Sequence, residues 1–439
     1  MKKILVVSGD ILPLPGFPTS GAGLRAWGLG QGLIANGFQV IFAMPIGWKS
    51  ADLPLPPLNF EVYRWHPYNL EKVIRDSRPE AVIFCHWPAV QIRRRLDIPT
   101  IIDFHGPHAL ERAFQGLEAS GWNSLQKIEA LRKADFFLCA GDKQKVYFLA
   151  WLLISGFDLK KTPIASVPVC LSPDLPLRGP DQEEPILVYG GVYLPWQDPT
   201  AGLLTAAETL EQERVGILKL FGGGHPFIPL EVPPLFQELE ERLKRFSRVS
   251  FEGIRPHDEL VSFYSRATAA VDLMAFNYER ELAFTTRTVE YLWCGLPVIH
   301  NDFDELAVLI REYDAGWVLD PEDRTSLQTI ISGILHHPEQ VHIKSRNAQT
   351  LVRDRLTWDK AVRPLVDFLK DPQKHIPSEA DLVSTVAKNI GKKNFWAKWS
   401  SVKDRNLSTL VQEAQSLYRD EGTRALLKKT FDYFRRRLP

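Results

Sequence analysis

Twice along this chain, short β-branched apolar runs alternate with amphipathic stretches, and one Pro-rich acidic segment separates the two series. The first series predicts strands at Lys3–Val7, Gln39–Ala43, Ala81–Cys85, Thr100–Phe104, Phe136–Ala140 and Pro163–Val169. Helical patterns cover Leu24–Ala35, Asn69–Asp76, Ala109–Lys133 and Lys143–Ile154. Continuous Val/Ile-rich strands with helices between them imply a parallel sheet covered on both faces. Leu171–Glu184 (LSPDLPLRGPDQEE) concentrates proline and acid with little apolar content, as an interdomain linker does. The pattern then restarts, with strands expected at Pro185–Tyr189, Gly216–Phe221, Arg248–Phe251, Ala269–Leu273, Pro297–His300 and Gly316–Leu319. The reading is α/β, with two doubly wound modules and a ligand cleft between them at the carboxyl ends of their strands.

Composition narrows the function classes. The 439 residues are 45% hydrophobic and 24% charged, ordinary values for a globular enzyme. Fifty-three basic residues balance 53 acidic ones, so net charge offers no reason to expect a nucleic-acid partner. The four cysteines (Cys85, Cys139, Cys170, Cys294) are isolated, which excludes a disulfide framework and fits a reducing compartment. The apolar run Ile4–Val7 is too short for a signal-peptide core, and no run reaches the length of a membrane span. A cytoplasmic location is the expectation.

The most informative segment is Thr285-Thr286-Arg287-Thr288-Val289-Glu290-Tyr291-Leu292-Trp293-Cys294-Gly295-Leu296-Pro297-Val298-Ile299. Val289, Leu292 and Trp293 fall at helical spacing and face a core, while Thr286, Arg287 and Glu290 share a neighbouring face. A helix started by the threonines points free amides and a positive dipole end outward, a fit for a diphosphate. Arg287 would add forked donors, and Glu290, one turn later, could accept from two ribose hydroxyls. Spacing alone favours an ordinary amphipathic helix with an i, i+3 ion pair.

The segment TRTVEYLWCGLPVI resembles the nucleotide-sugar signature of the retaining glycosyltransferase family four, which has the GT-B fold. The resemblance runs from about Met1 to Leu369 and implies two facing Rossmann-like domains, over 1–175 and 185–355. A helix over 356–372 would cross back to the first domain, and a basic helical extension would follow over 376–439. By this resemblance Glu290 binds the donor ribose, with Arg287 and Thr286 near the diphosphate. The family's second glutamate, eight positions earlier, is replaced here by Leu282, leaving Glu281 one residue off register at the donor sugar.

Gly21-Ala22-Gly23-Leu24-Arg25 follows the first strand, where glycines let a backbone approach a ligand closely. The resemblance places Gly21 and Gly23 beside the donor phosphates, and Gly191, Gly222 and Gly223 in two loops bordering the donor site. The Arg/Lys pair that relatives carry after the first of these loops is absent from Tyr193-Leu194-Pro195-Trp196-Gln197. Phosphate neutralisation then falls to Arg287, helix ends, and Arg25 or Arg255.

Asp103-Phe104-His105-Gly106-Pro107-His108 lies at a strand's carboxyl end, where α/β folds keep their chemistry. His105 is the candidate catalytic imidazole by the resemblance; Asp103 orients it, binds acceptor or caps a helix. Asp302-Phe303-Asp304 matches a metal-binding DxD pattern, but helix capping explains it. No metal and no cofactor beyond a nucleoside-diphosphate sugar as co-substrate are expected. From Lys388 to Pro439 thirteen Lys/Arg stand against five Asp/Glu, interleaved with Phe395, Trp396, Trp399, Phe431 and Phe434. That pattern suits a helix on an anionic membrane surface, or one packed on its own protein with a solvated basic face.

The expected function is transfer of a sugar from a nucleoside-diphosphate sugar, with retention, to a glycan or lipid-linked acceptor at the inner face of the membrane. The alternatives are a binding or scaffold protein with a decayed donor site, suggested by Leu282 and the missing Arg/Lys pair, and a nucleotide-sugar epimerase of the same fold.

Overall fold

The computed structural model describes residues 1–46, 60–116, 121–161, 163–180, 182–227 and 231–377. Strands are β1 Lys3–Val7, β2 Gln39–Pro45, β3 Val62–Trp65, β4 Ala81–Cys85, β5 Thr100–Asp103, β6 Phe136–Cys139 and β7 Ile164–Ser166, then β8 Ile186–Val192, β9 Ile217–Gly223, β10 Val249–Phe251, β11 Ala269–Asp272, β12 Val298–Asn301 and β13 Gly316–Leu319. Helices are α1 Gly21–Ala35, α2 Leu70–Ser77, α3 His108–Phe114, α4 Gly121–Leu131, α5 Asp142–Ile154, α6 Thr200–Glu213, α7 Pro234–Leu243, α8 His257–Tyr264, α9 Tyr278–Leu282 and α10 Thr286–Trp293. They continue with α11 Glu305–Tyr313, α12 Arg324–His336, α13 Pro338–Leu351, α14 Trp358–Ala361 and α15 Arg363–Lys370.

Among the described residues the first sheet runs β3-β2-β1-β4-β5-β6-β7 and the second β10-β9-β8-β11-β12-β13. Every strand pair is parallel. In each sheet the order reverses beside the first strand, between β1 and β4 and between β8 and β11. These are the switch points whose carboxyl ends form ligand crevices. Asp10 and His86 follow β1 and β4; Gly191 is the penultimate residue of β8, and Asp272 ends β11.

Two features depart from the sequence reading. Val62–Trp65 is an edge strand paired with β2. The stretch Ala109–Lys133 is not one helix: α3 stops at Phe114, and Gly116 takes a left-handed φ of 66° before α4.

Apolar side chains fill both faces of the first sheet. One layer, with Ile4, Val6, Leu29 and Phe42, extends to Val362, Leu365, Val366 and Leu369 of the last helices. Phe368 stacks on Phe136, with centroids 4.3 Å apart, and Lys2 Nζ donates to the Leu369 carbonyl at 2.8 Å. The chain after the second module therefore returns to the first. The basic segment 378–439 lies outside the described residues. No helix among the described residues is long and apolar enough to cross a membrane.

Candidate functional site

The lobes meet where two helices begin. A Cβ built on Gly21, the first residue of α1, would lie 3.0 Å from the Thr286 hydroxyl oxygen at the start of α10. Ser20 sits at the N-cap position of α1 in extended conformation. Thr285 holds the matching position before α10, but its side chain makes no capping hydrogen bond, so first-turn amides of α10 stay open to a ligand.

Glu290 lies one turn along α10 and is 14% exposed. Its Oε1 is 2.6 Å from His257 Nε2. Burial opposes a charge on His257, but the Glu290 carboxylate outweighs it by charge and hydrogen bond, and the imidazole pKa is raised. The sequence reading missed His257, which opens α8 33 residues before its partner.

Arg287 is tied down more than a free diphosphate donor would be. Its Nη1 donates to the Gly190 carbonyl at 2.8 Å, its Nη2 lies 2.9 Å from Asp272 Oδ1, and its guanidinium stacks over the Tyr189 ring at 4.9 Å. Burial alone would raise the Asp272 carboxyl; Arg287 outweighs it and holds the pKa low. Arg287 Nε and Nη2 still find no well-aligned acceptor among the described residues. Gly191 takes φ 133°, and a Cβ there would sit 2.6 Å from Arg287 Nη1, so the glycine makes room for the guanidinium.

Gly191, Gly222 and Gly223 are not in free loops. They prolong β8 and β9 as paired strand ends, with Gly191 opposite Gly222 and Val192 opposite Gly223. His225, just beyond, reaches across the cleft to Asp10, Nε2 to Oδ2 at 3.0 Å. Asp10 also accepts from the Ser20 hydroxyl at 2.5 Å. Glu281 lies at the lobe boundary, 3.2 Å from Lys143 Nζ of α5.

Arg25 and Asp103 leave the site. Arg25 is buried, with Nε and Nη2 donating to the two Asp103 oxygens at 3.0 and 2.8 Å. Its Nη1 donates to the carbonyls of Val167 and Pro168 at 2.6 and 2.7 Å. This forked pair, beneath the carboxyl edge of the first sheet, satisfies both side chains and leaves neither for phosphate or acceptor. Gly23 is likewise structural: its missing Cβ lets the loop at Ile11 and Thr19 pack on α1.

His105 does reach the crevice. It follows β5 with a left-handed φ of 60°, half-buried, its ring centroid 6.4 Å from that of His86. Burial lowers its pKa, which favours the neutral ring. Asp304 caps α11, accepting from the Ala307 amide at 2.9 Å and lying 2.8 Å from His300 Nε2. Among the described residues no group of three or more His, Cys, Asp and Glu is placed to hold a metal ion.

Two facing parallel α/β lobes with a returning C-terminal helix decide the architecture. The fold is GT-B. Residues 178–351 match the family model for glycosyl transferases group 1. D-inositol 3-phosphate glycosyltransferases of Rhodococcus jostii (strain RHA1) and Corynebacterium urealyticum are 31% and 28% identical to this chain. The matches cover 35% and 38% of this chain and 34% and 39% of those proteins. The chain thus spans little more than a third of the length of these curated relatives. Sucrose-phosphate synthase from Thermosynechococcus elongatus superposes with a TM-score of 0.65 at 18% identity, over 84% of this chain and 98% of that one. HepE of Anabaena, in complex with UDP and glucose, gives 0.59 at 13% identity, over 84% and 100%.

Proposed function

We propose that this chain transfers a sugar from a nucleoside-diphosphate sugar to a hydroxyl of a glycan acceptor, with retention of anomeric configuration. One observation carries the reading: the starts of α1 and α10 converge across the cleft at Gly21 and Thr286, with the Glu290 carboxylate one turn away. Paired helix starts concentrate amide donors and positive dipole ends where a departing diphosphate gathers negative charge. Arg287, held by Asp272 and the Gly190 carbonyl, lends its positive charge to the same region, and Glu290 takes the ribose in place of His257. Neutral His105, on the opposite lobe, orients the sugar face, and the acceptor proton passes to a donor phosphate oxygen. The group 1 match over the second lobe and the UDP and glucose held by the GT-B protein HepE support the same reading.

The acceptor in this proposal is a cell-surface glycan, lipid-linked, met at the inner face of the membrane through residues 388–439. Those residues lie outside the described ones. Co-sedimentation with anionic liposomes, with and without Lys388–Pro439, tests this: unchanged binding removes the tail as the anchor.

The central experiment is a donor screen with mass detection of transferred sugar. A sugar added to acceptor is expected. Absence of calorimetric binding to UDP-, GDP- and ADP-sugars would favour a decayed donor site. An isomerised donor formed without acceptor would favour an epimerase.

A further inference from the structure

Beside His105, at the carboxyl end of β4, four basic or N–H-bearing side chains gather with few acceptors to satisfy them. His86 has φ 92°, a strained backbone for any residue but glycine. Its ring centroid lies 4.8 Å from that of His108, and Trp87 lies 5.7 Å from His108. Lys127 of α4 is 2% exposed and sits over Trp151 at 3.8 Å, with the Phe148, Tyr147 and Phe104 rings at 5.2, 5.6 and 5.8 Å. Lys127 Nζ, Trp87 Nε1 and His86 Nδ1 are all buried, and none has a hydrogen-bond partner among the described residues.

The local carboxylates are committed elsewhere. Asp103 is bound by Arg25, Asp10 by His225, and Glu279 by Arg280. Glu111 remains, and it lies 3.3 Å from His108 Nδ1. Three imidazoles and an amine therefore share one carboxylate. Burial, and then the neighbouring imidazoles and Lys127, push the His86 pKa down; burial likewise lowers Lys127 to about 7 despite Glu111. The aromatic rings offset part of the cost of burying the amine. A Met or Leu would fill the same space with no unpaired donor, since a buried polar group without a partner is destabilising. The arrangement is explained by a ligand that brings negative charge with it.

We propose that His86, Trp87, His108 and Lys127 form an oxyanion site that selects phosphate-bearing acceptors. The word acceptor rests on the transfer reading above; the anion site itself does not.

The test is calorimetric titration of inorganic phosphate into the full-length protein and two variants, Lys127→Met and Trp87→Phe, with thermal unfolding as the check on folding. Removing a buried charged donor corresponds to about tenfold or more in affinity. Saturable phosphate binding is expected, weakened about tenfold by Lys127→Met and more modestly by Trp87→Phe, with unfolding temperatures close to the parent. Equal phosphate affinity in parent and both variants would overturn the site, as would no saturable binding up to about 50 mM phosphate. Should Lys127→Met fail to fold, Trp87→Phe decides alone. If no nucleotide sugar binds but phosphate binding still depends on Lys127, the transfer reading fails while the anion site stands.

Discussion

Glu290 Oε1 lies 2.6 Å from His257 Nε2, and the His257 backbone amide donates to the Phe17 carbonyl of the other lobe at 3.1 Å. The carboxylate proposed to hold a ribose is thus held by a side chain tethered across the cleft. A bound donor would exchange one partner of Glu290 for another rather than find it free.

Glu290→Ala is expected to weaken nucleotide-sugar binding about ten- to a hundredfold, the range for hydrogen bonds to a charged group. Thermal unfolding of the same variant checks that it stays folded. Calorimetric affinity equal to the parent's would remove Glu290 from the site.

The His257 pair also predicts a pH dependence of stability. Its folded pKa lies above the ordinary imidazole value near 6.5, so the pair's contribution is fully present below that value. It is lost as pH rises through the raised folded pKa. Buried His300, raised by Asp304 against burial, has the same sign, so the difference between parent and His257→Gln isolates one pair. Urea midpoints measured from pH 5.5 to pH 9, about the span of histidine titration, should show the parent's advantage shrinking toward alkaline pH. A pH-independent difference would contradict the assignment.

Arg25→Met leaves the Asp103 carboxylate buried without its forked donor. Breaking a buried pair from one side costs about 3–5 kcal/mol. Chemical denaturation should report that loss in the first lobe. A loss under about 1 kcal/mol would mean that Asp103 finds another partner or takes up a proton.

Gly191→Ala imposes a left-handed φ on alanine and places a Cβ against Arg287 Nη1. The expected result is destabilisation by more than about 1 kcal/mol together with weaker donor binding, because the guanidinium must move. Melting and calorimetry on one sample check both; unchanged donor affinity would show that Arg287 plays no part in binding.

His105→Ala should lower transfer by about a hundredfold while nucleotide-sugar affinity holds, as fits a group at the reacting face rather than at the diphosphate. Steady-state rates beside calorimetry separate the two effects.

The amino-acid order by itself determined the doubly wound plan. Strands buried on both faces must be apolar throughout, so Ala81–Cys85 is legible to the residue. Val62–Trp65 was not legible: its VYRW pattern carries an arginine, which an edge strand tolerates and a central one would not. The start of α10 at its threonines, and the one-turn spacing from there to Glu290, followed from residue type and helical period, both short-range. What tertiary structure alone decided was the partner of each charge. An arginine near a glycine-rich turn reads as a phosphate ligand, but Arg25 meets Asp103, 78 residues away, and Arg287 meets Asp272. Glu290 found His257, and Asp10 found His225 in the opposite lobe. Residue type states the sign of a side chain's charge, whereas which opposite charge it neutralises depends on chain crossings that no local spacing encodes.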